Sequence, residues 1–225
     1  MSSGILYMVA TPIGNLSDMS ARAVETLKAV DIVAAEDTRH SRILFNHYAV
    51  HPQRVVSYHA HNIESRTREL ISELHRGKNV ALVTDAGSPG ISDPGAVLVR
   101  DAVAEGVTIC PIPGASAVTL ALMASGFPTH RFIYEGFLPR KKGRKTMFKS
   151  WVGEERSIVF FESPHRIVKT LREIRAITAS RRVCVAREMT KLHEEFIRGE
   201  IGEVADELEK RGAVKGEITA VLAPY

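Results

Sequence analysis

Sixteen residues, Val80 to Gly95, constrain the fold of this chain more than any other stretch. Val80-Ala-Leu-Val83 is a short apolar run with β-branched ends, the pattern of a strand buried on both faces, and it stops abruptly at Thr84-Asp85. Gly87, Gly90 and Gly95 then permit positive φ and close approach to the backbone, while Pro89 and Pro94 restrict φ and remove donors. A stiff, shaped loop results. From Ala96 the apolar spacing becomes helical and ends at Gly106. Strand, long loop and helix are the unit of an α/β sheet, whose ligands sit outside the carboxyl ends of the strands. The run is too long for a minimal strand-to-helix turn and carries Asp85 and Asp93, so it reads as a functional loop. No Lys-Ser or Lys-Thr comes after the glycines, and no Gly-x-Gly-x-x-Gly comes after a strand, which removes the common nucleotide fingerprints.

The same alternation runs through the chain. Strands are predicted at Ile5 to Ala10, Ile32 to Ala35, Val55 to Tyr58, Val107 to Cys110, Phe132 to Glu135, Ser157 to Glu162, Arg182 to Arg187 and a last one after Gly216. Between them lie helices capped by Ser20, spanning Asn62 to Arg76, following Ser116 and ending at Gly126, opened by Ser163-Pro164, and spanning Ile201 to Arg211. The expected architecture is α/β, two α/β domains of similar sheet size, divided at 1-114 and 115-225. At 225 residues and 44% hydrophobic content the chain has ample material for packed cores.

Several strand exits carry polar residues. Glu36-Asp-Thr-Arg-His40 closes the second strand and weighs slightly toward function over a solvated turn. His59 and His61 come after the third strand, at a spacing that points them apart rather than at one metal. Gly114-Ala-Ser116-Ala117 opens a helix and resembles a nucleophile elbow without its last glycine, so hydrolase chemistry is disfavoured and close approach of a ligand to the helix start is expected instead. Cys110 and Cys184 sit in apolar runs as buried free thiols; no disulfide framework or zinc spacing exists, and a reducing, cytoplasmic setting is expected. Neither a charged leader nor a membrane-length apolar run is present.

Formal charge is +4, a weak sign of an anionic partner. Its distribution is more telling. Arg140, Lys141, Lys142, Arg144 and Lys145 crowd one Gly- and Pro-containing segment, and such flexible cations suit phosphates better than a merely solubilising loop.

Thr11-Pro-Ile-Gly-Asn-Leu16, Ala35-Glu-Asp-Thr-Arg39, Thr84 to Gly95, Pro113-Gly-Ala-Ser-Ala117, Phe161-Glu-Ser-Pro-His-Arg166 and Arg187-Glu-Met-Thr-Lys191 together resemble the ribosomal RNA small subunit methyltransferase I group of the tetrapyrrole methylase superfamily, over nearly the whole chain. The Thr84 loop is the specific element. The resemblance implies two α/β domains in a homodimer, with S-adenosylmethionine in a cleft between the domains. It further implies methylation of a cytidine 2′-hydroxyl in the RNA of the small ribosomal subunit, with no membrane or DNA partner and no metal. It places the cofactor against Asp85, Ala86, Gly87 and Ser88, with Pro12 and Ile13 opposite and Ser116, Ala117 and Phe161 completing the cradle. Asp37 or His59 is the candidate base for the ribose hydroxyl. Arg39, Arg140, Lys141, Lys142, Arg144 and Lys145 are the candidate RNA contacts. Members of the group usually carry a small C-terminal extension beyond the position of Tyr225, so weaker RNA binding is expected wherever that extension grips RNA. A small-molecule methylase using the same cleft and a non-catalytic RNA-binding module are the competing readings.

Overall fold

Val80–Val83 forms the central strand of a parallel sheet in the computed structural model, which describes residues 3–178 and 181–225. The chain divides into two compact units, Met1–Ser116 and Ala117–Tyr225. In the first unit the elements run β1 (Ile5–Val9), α1 (Ala21–Ala29), β2 (Ile32–Ala35), α2 (Thr38–His47), β3 (Arg54–Ser57), α3 (Ile63–His75), β4 (Val80–Val83), α4 (Ala96–Ala104) and β5 (Thr108–Ile112). The strand order is β3-β2-β4-β1-β5, and every pairing is parallel.

β2 and β4 are buried at all four positions, which is why they read as unbroken apolar runs. Val33, Ala35, Ala81 and Val83 face Ala23 and Leu27 of α1 and Leu44 and Phe45 of α2. Ile32, Ala34, Val80 and Leu82 face Leu70 and Leu74 of α3 and Leu98 and Ala102 of α4. Each of the fully buried leucines among them stabilises the unit by roughly 1.5–3 kcal/mol. Pro111, which lacks a ladder donor, is tolerated because β5 is an edge strand. The same edge leaves Cys110 only half-buried, against the sequence expectation, whereas Cys184 is fully buried.

The second unit contains α5 (Ala117–Ser125), β6 (Phe132–Phe137), α6 (Arg144–Ser150), β7 (Ser157–Glu162), α7 (Ile167–Thr178), β8 (Arg182–Arg187), β9 (Glu195–Glu200), α8 (Ile201–Lys210) and β10 (Ile218–Leu222). Its sheet has the order β6-β7-β10-β8-β9; β6 and β7 are parallel and the other pairs antiparallel. One face packs Ile158 and Phe160 against Phe148, Trp151, Ile167, Leu171, Ile201 and Leu208, and α5 lies against β7, β8 and β10.

Four elements depart from the sequence expectation. α2 occupies the stretch read as a polar exit, because Asp37 caps it and only Ser41, Leu44 and Phe45 need be buried. α6 and β9 were hidden among charged residues. The helix expected from Ser163-Pro164 begins at Ile167, since the Ser163 carbonyl accepts the N–H groups of Arg166 and Ile167 in a preceding turn. Among the described residues no helix is long and apolar enough to cross a membrane.

Candidate active site

The carboxyl end of β4 is flanked by β2 and β1. The chain leaves β1 and β2 toward one face of the sheet, through α1 and α2, and leaves β3 and β4 toward the other, through α3 and α4. Neighbouring loops therefore part over β4, and a crevice opens there for topological reasons alone. A cavity of about 190 Å³ lies at this edge, with Thr11, Pro12, His40, Ile43, Thr84 and Asp85 in its lining.

The β1 and β4 loops are tied together. Thr11 and Gly87 exchange backbone hydrogen bonds of 2.9 and 3.1 Å, and the Thr11 hydroxyl donates to the Thr84 carbonyl at 3.1 Å. Gly87 holds φ +81°, a left-handed value that disfavours any side chain. Gly95 must be glycine for two reasons: φ is +149°, and a Cβ there would lie 3.0 Å from both the Gly90 nitrogen and a Leu82 methyl. The loop is folded onto itself, with Ala86 exposed and Ser88 half-buried at its rim. Pro12 is buried in the cavity wall, and Ile13 is buried as well, packed 3.5 Å from where a Gly87 Cβ would stand. Gly114, expected to admit a ligand, instead admits the chain itself: a Cβ there would meet that of Ala10 at 2.9 Å.

Carboxylates gather at the same edge. Asp85 accepts the Asp37 N–H at 3.1 Å, and Glu36 accepts the Asp85 N–H at 3.4 Å. Burial, reinforced by the charges of Asp85 and Asp37, raises the Glu36 pKa. Burial, with Glu36 and Asp85 nearby, pushes Asp93 up to about 6. Sequence reasoning noted both groups and assigned neither to the site, because their burial is a tertiary property.

Asp37 is held differently. Its carboxylate caps α2 by accepting the Arg39 N–H at 2.8 Å and also receives the Arg39 guanidinium, at 3.2 and 2.8 Å. The Arg39 side chain and N–H hold its pKa well below the usual carboxylate range, which makes it a poor proton acceptor. Two buried atoms at this sheet edge have no hydrogen-bond partner among the described residues, His59 Nδ1 and Thr84 Oγ1. A buried polar atom left unpaired is costly unless something arrives to pair it. The His61 ring stands 5.9 Å from that of His59, at an interplanar angle of 66°.

Ser116 closes the first unit, half-buried; Ala117 and Phe161 belong to the second. Phe161, at the end of β7, is half-buried with the Tyr134 and Phe137 rings at 5.4 and 5.2 Å. In the basic segment Arg140, Lys141, Lys142 and Lys145 are exposed, and none has an ion-pair partner among the described residues. Arg144 is a correction. Only 8% exposed, it donates to Glu173 (2.7 Å), the Pro139 carbonyl (3.0 Å) and the Thr170 hydroxyl (2.6 Å), and lies 3.5 Å from the buried Glu162 carboxylate. It pins the segment down and cannot reach a ligand.

A family model for tetrapyrrole (corrin/porphyrin) methylases matches residues 5–205. The chain belongs to the tetrapyrrole methylase family. Among its relatives, ribosomal RNA small subunit methyltransferase I of Thermotoga maritima is 49% identical, over 98% of both chains. The protein of the same name from Synechocystis sp. is 48% identical over 98% of this chain and 79% of its own. The tetrapyrrole methylase fold is equally plain in three dimensions. Uroporphyrin-III C-methyltransferase from Thermus thermophilus, solved with S-adenosylhomocysteine, superposes with a TM-score of 0.66 over 98% of this chain and 97% of its own at 21% identity.

Proposed function

We propose that this chain is an S-adenosylmethionine-dependent methyltransferase that modifies the ribose 2′-hydroxyl of a cytidine in small-subunit ribosomal RNA. The observation that carries the reading is near-half identity, end to end, with small subunit methyltransferase I. Four exposed cations without ion-pair partners among the described residues suit the phosphates of an RNA substrate.

The crevice fits the cofactor. It offers an unpartnered Thr84 hydroxyl and the Asp85 carboxylate, a donor and an acceptor in one place. In this reading Pro12, Asp85, Ala86, Gly87 and Ser88 hold it from the first unit, over the buried Ile13, and Ser116, Ala117 and Phe161 serve it as well. When bound, S-adenosylmethionine supplies a methyl group on a positively charged sulfonium, already a good leaving group. The chain's own work is then alignment of the ribose oxygen, which proximity and orientation make worth several powers of ten. The carboxylates Glu36, Asp85 and Asp93 give this edge a negative field that suits a cation. His59 takes the role that the sequence offered equally to Asp37: its unpartnered Nδ1 accepts the hydroxyl proton. Arg39, Arg140, Lys141, Lys142 and Lys145 hold phosphates. The protein acts in the cytoplasm, as a homodimer, on the small subunit or its RNA.

The test is transfer of labelled methyl from S-adenosylmethionine, in parallel, to intact small subunits, naked small-subunit RNA and a porphyrin precursor. Label in a subunit or RNA arm is the expected result. Label in the precursor alone would transfer the chain to the small-molecule reading.

A further inference from the structure

The edge strand β6 contains an irregularity that nothing in the proposed chemistry uses. Tyr134 pairs with Val159 of β7, but Phe137, three residues on, pairs with Phe161, only two residues on. The extra residue is accommodated where Gly136 takes φ +63°. Side chains alternate along a strand, so an odd separation should place Tyr134 and Phe137 on opposite faces. The bulge cancels that, as such insertions do, and re-aims Phe137 onto the face that carries Tyr134. Ile158 and Phe160 take the opposite face into the core. The outcome is a row of three aromatic rings, Tyr134, Phe161 and Phe137, with neighbouring centroids 5.4 and 5.2 Å apart. Phe137 is the outer ring and is 64% exposed.

Bulges are over-represented at sheet edges and beside active sites, where they re-aim a side chain. The next five residues identify the use. Leu138 is buried and anchors the chain, the Pro139 carbonyl is held by Arg144, and Arg140, Lys141 and Lys142 then stand exposed and without ion-pair partners among the described residues. Three residues of chain reach at most about 11 Å, so the Cα atom of the first unpaired cation lies within that distance of the Cα atom of Phe137. An aromatic surface beside unpaired cations is the combination that grips single-stranded nucleic acid, the ring stacking a base and the cations taking phosphates.

We propose that Phe137, backed by Phe161 and Tyr134, is a stacking platform for one unpaired base of the RNA, next to the phosphate contacts of Arg140, Lys141 and Lys142. This deepens the RNA reading and rests on it. The occupant is a base rather than a second copy of this chain, because a self-contact would bring like-charged segments together.

The experiment uses the full-length protein, a short single-stranded oligoribonucleotide containing 2-aminopurine, and the variants Phe137→Ala and Phe137→Trp. Stacking quenches 2-aminopurine, so the wild type is expected to quench it on binding. Phe137→Ala should weaken binding roughly 5- to 100-fold and abolish the quench; Phe137→Trp should keep both. Unchanged affinity and quench in Phe137→Ala would overturn the proposal, as would loss of dimer by sedimentation in Phe137→Ala with RNA binding intact. The methyl-transfer assay separates the two levels. A wild type that quenches but methylates no ribosomal RNA contradicts the function and leaves the platform standing. A wild type that methylates small subunits while Phe137→Ala shows the same KM for them contradicts the platform alone.

Discussion

Replacing Arg144 by alanine separates a structural arginine from the cations around it. The guanidinium makes three hydrogen bonds and two ion pairs, with Glu173 and Glu162, and its side chain is 10% exposed against 0% for that of Glu162. Removing one partner of a buried pair typically costs 3–5 kcal/mol. Glu162 here keeps the Arg166 ion pair, the Thr170 hydroxyl at 2.8 Å and the Ser163 N–H at 2.7 Å, which places the expected loss near the lower bound, about 3 kcal/mol. For a chain of this length that corresponds to a fall in Tm of roughly 6–12 °C. Lysine in the same place cannot satisfy Glu173, Thr170 and the Pro139 carbonyl at once, so Arg144→Lys should recover little of it. The exposed Lys141→Ala and Lys142→Ala should each stay within about 0.5 kcal/mol of wild type. Calorimetric melting of the four variants and the wild type, with RNA affinity measured across salt concentrations, decides the matter. Lys141 and Lys142 changes should flatten the salt dependence without moving Tm. If Arg144→Ala melts with the wild type yet flattens the salt dependence, the guanidinium lies on RNA and the buried assignment is wrong.

Asp37→Asn keeps a good helix cap and removes only a charge, so its melting temperature and its kcat should stay near wild type, whereas His59→Gln should lower kcat with S-adenosylmethionine affinity retained; the reverse pattern in steady-state kinetics would restore Asp37 as the base. Thr84→Val removes an unpartnered hydroxyl at almost the same shape and should stabilise the protein by about 1 kcal/mol while weakening cofactor binding in titration calorimetry; lower stability would mean that the hydroxyl is paired after all. Asp93 has its pKa raised, to about 6 in the fold, so its protonated form is the favoured one there. Its contribution is fully present below about pH 4 and lost as pH rises through 6. Asp93→Asn should accordingly raise the urea midpoint at pH 7.5 and leave it near wild type at pH 4, and an equal gain at both values would show that charge is not the cause.

The parallel sheet was legible because strands buried on both faces must be apolar throughout, and Ile32–Ala35 and Val80–Val83 admit no other reading. The Val80 to Gly95 loop was legible because Gly87 and Gly95 hold backbone angles that other residues resist. α2 was not, since the short polar stretch after Asp37 looks the same whether the aspartate caps a helix or meets a ligand. Five cations between Arg140 and Lys145 look alike in sequence. Only folding brings Glu173, 29 residues on, against one of them and leaves the other four without ion-pair partners among the described residues. The raised pKa of Asp93 and the re-aimed Phe137 likewise arise from burial and from a one-residue bulge, neither of which leaves a local pattern.

Transfer of the methyl group to a ribose oxygen of small-subunit RNA changes how that RNA breaks down in alkali. Alkali cleaves RNA through the 2′-hydroxyl, so a methylated ribose blocks cleavage at its own position. Small subunits lacking the modification should be incubated with the protein and labelled S-adenosylmethionine, and their RNA hydrolysed in alkali. The label is expected in a single alkali-resistant dinucleotide with cytidine at its 5′ side. Label released in mononucleotides would place the methyl on a base, and label found only in ribosomal protein would remove RNA as the substrate; either result contradicts the account.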